Sequence, residues 1–319
     1  GDIMFKMYNT DLITNITEEV TEYKRGNWIN MIAPSDDEIK TVCENINIQE
    51  DFIRYALDPE ERARIDYEED DGTTLILADV PIIEKDEDQK EYSTIPVGFI
   101  IVRDEYFITV SLMENQVIRR MNPMKNKSVA TYKKSRLVLQ CLYVNSEIYL
   151  NLLKKINRET ENAEKEIRQT RKNKSLLRLL SLEKSLVYFT TSPKANEVVM
   201  ERMNRGKVIK LYEEDEDLLE DVLIENKQAM EMSKIYSDIL SGVMDAYSSI
   251  ISNNLNGVMK ILTAITIIIS VPTMISSFWG MNVKVPMQDN PWGFAIILIA
   301  SILIGIIVTI ILKRKDYLN

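Results

Sequence analysis

The sequence predicts an α-helical membrane protein in which a cytoplasmic α/β domain precedes a long stalk helix and two C-terminal transmembrane helices. Three observations predict this fold class. Two apolar runs near the C-terminal end each exceed the roughly 20 residues that a helix needs to cross hydrocarbon. Short runs rich in Ile, Val, Tyr and Phe fill the first third of the chain, as is typical of strands. Apolar residues at helical spacing dominate the remainder.

Residues 1–215 are predicted to form the α/β domain together with the helices that follow it. A capping box, Ser35 with Glu38, predicts a helix that ends near residue 46. The predicted strands are residues 4–8, 27–33, 64–67, 73–83, 95–102 and 106–113. The predicted later helices are residues 145–173, 175–190 and 194–205.

Residues 216–257 are predicted to form the stalk helix. No proline interrupts residues 216–271, so the helix can continue through the first apolar run for about 95 Å at about 1.5 Å per residue. A 3.5-residue repeat comprises Leu219, Val222, Asn226, Ala229, Ser233, Tyr236, Leu240, Val243, Tyr247 and Ile250. Such a repeat favours packing against other long helices. The alternative is an amphipathic helix that docks on its own domain.

The two apolar runs predict two membrane crossings. The predicted segments are transmembrane helix 1 at 258–279, an outer loop at 280–291, transmembrane helix 2 at 292–312 and a basic tail at 313–319. Lys313, Arg314 and Lys315 directly follow the second run, so the positive-inside rule places the C-terminus in the cytoplasm. Two crossings return the chain to its starting side, which places residues 1–257 there too.

The first apolar run carries a polar stripe. Its members repeat every 3.5 residues and are Thr263, Thr266, Ser270, Thr273 and Ser277, with Asn256 and Met259 in register before them. The stripe is consistent with helix packing or with the lining of a pore. Two helices cannot enclose a channel, so a pore requires several copies of the chain. Ser301, Gly305 and Thr309, spaced by four in the second run, indicate contact with the first helix.

Composition excludes several functional classes. The net charge of −10 argues against a nucleic-acid partner, because phosphate binding needs clustered Lys and Arg. The chain has no histidine, so a bound metal would be met mostly by oxygen, which suits hard ions such as Mg²⁺. Cys43 and Cys141 share no motif and are expected to be buried thiols. No arrangement typical of an enzyme or of an organic cofactor site is visible.

A Gly280-Met281-Asn282 triplet follows the first apolar run. The stretch LSGVMDAYSSIISNNLNGVMKILT precedes it, and WINMIAPSDDEI and LDPEERARIDYEED lie near the start. In these motifs the sequence resembles the CorA family of magnesium channels over nearly its whole length. The resemblance implies a homopentamer in the plasma membrane, with a funnel-shaped cytoplasmic domain and a stalk that continues as the pore-lining helix.

The resemblance also implies roles for particular residues. Gly280, Met281 and Asn282 would form the outer selectivity ring, where five carboxamides can bind the waters of hydrated Mg²⁺ without removing them. The implied pore-lining residues are Asn256, Met259, Leu262, Ser270 and Thr273, of which Met259 and Leu262 would form a hydrophobic constriction. Membrane potential, rather than a pump, would drive Mg²⁺ uptake.

Regulation by cytosolic Mg²⁺ is also implied by the resemblance. Asp221 lies early in the stalk in an Asp-Val context that is similar to a regulatory position of the family. Its expected partner is an acidic residue of the sheet domain of a neighbouring protomer, either Glu84 or Asp86. Bound Mg²⁺ would cancel the repulsion between these carboxylates and hold the pore closed.

Some residues depart from the family pattern and leave the ion open. Trp279 stands where Tyr usually precedes the triplet, Pro272 lies one place later than expected, and Ser270 replaces a bulky apolar residue. One alternative is therefore a Zn²⁺, Co²⁺ or Ni²⁺ transporter of the same fold. Another alternative, of a different class, is a membrane-anchored sensor or scaffold.

Overall fold

The structure is a computed structural model that describes residues 5–86, 89–170, 173–205, 208–315 and 317. The chain divides into two compact units, Gly1–Ser241 and Gly242–Asn319. The first unit contains a sheet and the helices that cover it, together with the beginning of the longest helix. The second contains the end of that helix, a loop and the last helix.

Seven strands form one mixed sheet in the described part of the first unit. They are β1 Phe5–Thr10, β2 Thr17–Val20, β3 Trp28–Ile32, β4 Arg64–Glu68, β5 Thr73–Asp86, β6 Gln89–Val102 and β7 Tyr106–Ser111. Their order in the sheet is β2-β1-β3-β7-β6-β5-β4, and only β3 and β7 pair in parallel. The six strands predicted from sequence are all present, with ends shifted by a few residues. β2 was not predicted.

β5 and β6 make the longest pairing, with Thr73 opposite Val102 and Asp86 opposite Gln89. The predicted start of β6 at residue 95 was too late by six residues. The missed segment contains Gln89, Lys90 and Glu91, which lack the apolar alternation of a half-buried strand but pair with β5 all the same.

Seven helices accompany the sheet in the described residues. They are α1 Asp36–Ile46, α2 Asp51–Arg54, α3 Gln116–Met121, α4 Lys134–Thr170, α5 Asn173–Asn204, α6 Glu213–Trp279 and α7 Gly293–Arg314. The capping box of α1 is confirmed, because the Ser35 hydroxyl accepts from the Glu38 amide and the Glu38 carboxylate accepts from the Ser35 amide. α1 packs into the core through Ile39, Val42, Cys43 and Ile46.

The two helices predicted over 175–190 and 194–205 are one helix, α5, with Pro193 inside it. A proline inside a helix removes one helical hydrogen bond and often ends the helix. The helix continues because buried residues lie on both sides of the proline, among them Phe189, Val199 and Met200. α4 likewise begins eleven residues before the predicted start at residue 145.

The 3.5-residue repeat in α6 packs against the chain's own first unit between Leu219 and Leu240. Both of these residues are buried there. The Asn226 side-chain amide donates to the Pro193 carbonyl at 2.9 Å, and the Ser233 and Thr190 hydroxyls are 2.8 Å apart. Between Leu219 and Leu240 the helix therefore docks on its own domain, and packing of the repeat against other long helices stays a prediction.

Both cysteines are buried and free. Burial, with a smaller contribution from Glu50, raises the pKa of the Cys43 thiol to about 11. Burial also raises the pKa of Cys141. Both thiols are therefore protonated at neutral pH, and the expectation that they are buried is confirmed.

Gly98 in β6 allows a close approach of the helical turn at residues 55–57. A Cβ atom added at Gly98 would lie 2.7 Å from the Ala56 Cβ atom, a distance that real Cβ atoms do not tolerate. We expect Gly98→Ala to lower the free energy of unfolding by about 1–3 kcal/mol, because overpacking forces the backbone to shift. Thermal denaturation in detergent measures the change. Ala56→Gly in the same chain should restore most of the loss, and no restoration would contradict the steric explanation.

Candidate functional site

Two helices in the described part of the chain, α6 and α7, are long and apolar enough to cross a membrane. In α6 the apolar stretch is the C-terminal part, which belongs to the second unit. α7 contains no charged residue before Lys313 and Arg314 in its last turn. α6 ends at Trp279, and α7 begins directly after Trp292. Both tryptophans are expected at the membrane interface.

One side of the C-terminal part of α6 packs against α7. A Cβ atom added at Gly305 of α7 would lie 3.7 Å from the Pro272 ring of α6, which is ordinary contact distance. Ser301, one turn earlier in α7, is buried. The less exposed α6 residues recur at helical spacing and are Ala264, Ile268, Val271, Pro272 and Ile275. Small side chains on α7 thus allow the two helices to approach closely.

The polar stripe lies on the opposite side of α6. Successive residues of a helix are turned by about 100°, which puts the middle of the stripe about half a turn away from Val271 and Ile275. All stripe residues are exposed, namely Thr263, Thr266, Ser270, Thr273 and Ser277. The predicted pore residues Asn256, Met259 and Leu262 lie within the same third of the helix circumference and are exposed as well.

The hydroxyl groups of the stripe are set to accept hydrogen bonds. Thr266, Ser270 and Thr273 each donate their proton to the backbone carbonyl four residues earlier, at 2.7–2.8 Å. A hydroxyl has one proton to donate and two lone pairs. Since the proton is used inside the helix, the lone pairs face outward and can accept from the waters of a hydrated cation.

The Gly280-Met281-Asn282 triplet follows α6 directly. The Gly280 amide donates to the Ser276 carbonyl at 2.9 Å, which closes the last turn of the helix. Met281 and Asn282 are exposed. Within the described residues the Asn282 carboxamide has no hydrogen-bond partner, so both its donor and its acceptor are available.

Trp279 contacts the part of the outer loop that leads back to α7. The sequence did not reveal this role. The Trp279 indole Nε1 donates to the Pro286 carbonyl at 3.1 Å. Its ring also lies 3.3 Å from the position of a Cβ atom added at Gly293, a tight contact, and the same Cβ atom would collide with the Met287 carbonyl oxygen at 2.6 Å. In the turn just before α7, the Asn290 side-chain oxygen accepts from the Trp292 amide at 2.9 Å. The contacts of Trp279 therefore fix the outer loop that carries the triplet.

The proposed regulatory residues lie in the first unit. Asp221 on α6 and Glu84 on β5 are exposed, and Glu84 is opposite Glu91 in the sheet. The side chain of Asp86 lies outside the part of the chain that the structure describes. No group of three acidic or thiol side chains in the described ranges is close enough to hold a metal ion. A site that two copies share stays a prediction.

Asp221 contributes to a concentration of negative charge near α4. Burial, and then the carboxylates of Glu147, Glu225 and Asp221, raise the pKa of Tyr143. The electrostatic influence of three carboxylates on one phenol places them in the same neighbourhood. Arg120 compensates one of them weakly, at 3.5 Å from Glu147.

Comparison with known proteins gives a consistent result across the whole chain. The profile of the family described as CorA-like Mg²⁺ transporter protein matches residues 23–314. The cobalt/magnesium transport protein CorA of Methanocaldococcus jannaschii is 28% identical over 301 residues, which is 91% of each chain. The protein with the same description from Thermotoga maritima is 23% identical over 299 residues, or 91% of this chain and 83% of that one.

A solved structure is similar over the full length. The complete structure of the CorA magnesium transporter from Methanocaldococcus jannaschii superposes with a TM-score of 0.83 at 25% sequence identity, and 99% of each chain is covered. The similarity therefore includes the sheet, the long helix and the last apolar helix.

Proposed function

Because the chain belongs to the family of CorA-like Mg²⁺ transporter proteins, we propose that it passes Mg²⁺ across a membrane through a pore lined by the polar face of α6. The observation that carries the proposal is the position of this face. It is exposed, it lies opposite the side that packs on α7, and it presents hydroxyl lone pairs outward. Exposed hydroxyl groups on lipid-facing helices would gain nothing, whereas a hydrated cation needs acceptors.

The pore requires several copies of the chain, since one polar face cannot enclose a channel. We take the number to be five, as in the homopentamer that the family resemblance implies. We expect the purified protein in mild detergent to have the mass of five chains, and native mass spectrometry or light scattering with detergent correction measures it. A monomer or dimer that still conducts Mg²⁺ in liposomes would contradict the pore.

Residues along the proposed pathway have distinct roles. Asn282 at the outer end binds the waters of the arriving ion, and Met281 and Gly280 complete the ring. Ser270 and Thr273 offer acceptors further along the helix. Met259 and Leu262, both exposed apolar side chains, form a constriction that closes by excluding water.

The direction of transport follows from charge. Lys313, Arg314 and Lys315 at the end of α7 support cytoplasmic termini, and the family resemblance implies the plasma membrane. A divalent ion then gains about 4.6 kcal/mol per 100 mV of inside-negative potential, twice the value for one charge. Uptake needs no energy-coupling domain. Cytosolic Mg²⁺ bound at Asp221 would act as the closing signal.

Flux in purified liposomes tests the proposal. The protein is reconstituted and the entry of Mg²⁺, Co²⁺, Ni²⁺ and Zn²⁺ is measured in parallel under an imposed potential. We expect potential-dependent Mg²⁺ entry. Zn²⁺ entry without Mg²⁺ entry would favour the transition-metal alternative. No entry of any of the four ions through a correctly assembled protein would favour a membrane-anchored sensor or scaffold.

A further inference from the structure

A cavity of about 300 Å³ lies in the first unit, between the sheet and the α3 region. One wall comes from β1 and β3, where Lys6 pairs with Asn30 and Tyr8 with Trp28, so these four side chains share a face of the sheet. The opposite wall comes from α3 and its flanks. The side chains that line it there are Glu114, Ile118, Arg119, Asn122 and Lys125. This volume is at the small end of the range for sites that bind small molecules.

The cavity is basic in a strongly acidic protein. Lys6, Arg119 and Lys125 contribute positive charge to its lining, and Glu114 is the one carboxylate there among the described residues. Glu114 is engaged by Arg119 at 2.8 Å. Lys6 has only a long contact of 3.5 Å with the exposed Glu19. Lys125 has no ion-pair partner among the residues that the structure describes.

Two consecutive hydrogen bonds occupy the side-chain oxygen of Asn30 and leave its side-chain amide group to donate toward the cavity. The Trp28 indole donates to the Thr109 hydroxyl at 2.9 Å, and that hydroxyl donates to the Asn30 side-chain oxygen at 2.8 Å. The indole N–H uses one lone pair of the Thr109 hydroxyl, and the Asn30 side-chain oxygen can only accept, so the hydroxyl proton points to Asn30. The Asn30 oxygen is thereby occupied, and its Nδ2 group is left to face the cavity.

Asn122 and Tyr8 are also set to donate. The Asn122 side-chain oxygen accepts from the Met124 amide at 3.0 Å, which leaves Nδ2 as its available group. Tyr8 is 97% buried, since its exposed fraction is 3%, and in the described part of the chain its hydroxyl has no hydrogen-bond partner. Burial, and then the charge of Glu19, raise the pKa of Tyr8, so the phenol keeps its proton.

We propose that this cavity binds a small phosphate-bearing anion, either free phosphate or a soluble phosphate ester. Apart from Glu114, which Arg119 neutralises, and Trp28, whose indole donates to Thr109, the polar side chains of the lining are positively charged or keep a donor available. Such a lining recognises a ligand that only accepts hydrogen bonds and carries more than one negative charge. The donors come from two opposing walls. A tetrahedral phosphate presents oxygens to both walls, whereas a flat carboxylate presents its two oxygens mainly to one.

Binding is tested on the full chain in detergent by calorimetric titration with inorganic phosphate, pyrophosphate and 5′-AMP. The buffer is free of Mg²⁺, because the ion would complex pyrophosphate and occupy its own sites. We expect saturable binding of at least one of the three probes. Preference for phosphate or pyrophosphate over 5′-AMP would identify an inorganic anion as the ligand, and the opposite preference an organic ester.

Two variants and a matched control assign the binding to the cavity. Asn30→Asp keeps the oxygen that accepts from Thr109 but replaces the donor by an acceptor, and Lys125→Glu reverses an unpaired charge. We expect each to weaken binding by about tenfold or more, as for the loss of a hydrogen bond to a charged group. Lys40→Glu makes the same charge change at an exposed site on α1 outside the cavity and should alter affinity by less than about twofold.

Two outcomes would overturn the proposal. One is the absence of saturable binding for all three probes. The other is equal weakening by Lys40→Glu and Lys125→Glu, which would indicate a general effect of net charge. If Asn30→Asp lowers the melting temperature, Tyr8→Phe replaces it, because this change removes only the hydroxyl. Since the readout is binding, failure here leaves the proposed transport function untouched.

Discussion

Asn282→Ala is expected to abolish selective Mg²⁺ flux while leaving assembly intact. The exposed Asn282 carboxamide follows α6 and has no partner among the described residues, so its loss disturbs no internal contact. In the proposed ring it binds the waters of the ion. Mg²⁺ releases its waters reluctantly, so a ring that cannot hydrogen-bond them no longer selects the hydrated ion. We expect Mg²⁺ entry into liposomes to fall by about two orders of magnitude or more, equivalent to the loss of about one or two hydrogen bonds to a charged group.

Asn254→Ala is the matched control for this change. Asn254 is also exposed on α6, but it lies outside the third of the helix that carries the polar stripe. Flux of the control should stay close to that of the parent, and both variants should have the parent's mass in detergent. Near-normal Mg²⁺ entry through a correctly assembled Asn282→Ala protein would remove Asn282 from the filter.

Periodicity made the polar face of α6 predictable from sequence. The hydroxyl stripe repeats every 3.5 residues, and the single continuous helix that the absence of proline predicts between residues 216 and 271 is observed as part of α6. A repeat on one helix can be read without knowing what lies beside it. The same reasoning could not decide which partner the repeat in the stalk would meet. That depended on the positions of Thr190 and Pro193 on α5, which only the fold brings next to α6.

Contacts between segments that are distant in the chain could not be predicted from the sequence. β2 has the sequence Thr-Glu-Glu-Val, which is too polar to predict a strand, and it forms because it pairs with β1 at the edge of the sheet. The bond from Trp279 to the Pro286 carbonyl depends on how the loop folds back, and a carbonyl leaves no signature in the sequence. The basic cavity likewise joins β1, β3 and the α3 region, whose members are spread over more than a hundred residues.

Asp221→Ala is expected to keep conduction but to weaken closure by Mg²⁺. Asp221 belongs to the first unit and the proposed pore residues to the second, and 35 residues of α6 separate it from Asn256. Asp221 is exposed. Burial is the main cause that raises the pKa of Tyr143, and Asp221 is one of three carboxylates that raise it further. A divalent cation bound there would reduce the mutual repulsion of these groups and of acidic groups on a neighbouring copy.

Two measurements separate a regulatory role from a solvated surface charge. In liposomes loaded with increasing Mg²⁺ on the cytoplasmic side, the Asp221→Ala protein should need a higher concentration to close than the parent. In limited proteolysis, Mg²⁺ should protect the variant less. Asp238→Ala changes an exposed carboxylate elsewhere on the same helix and should behave as the parent does in both assays.

Equal Mg²⁺ dependence in the parent and in Asp221→Ala would leave two explanations, a solvated surface carboxylate or one of several redundant ligands. Combined substitution of Glu84 and Asp86 in the Asp221→Ala background distinguishes them. Redundant ligands share one ion, so removing them together should raise the Mg²⁺ concentration needed for closure even where the single change does not. A triple variant that closes and resists protease at the parent's Mg²⁺ concentration would exclude all three residues from sensing. Regulation would then have to depend on other carboxylates, of which Glu220, Asp217 and Glu225 are the nearest to Asp221 along α6.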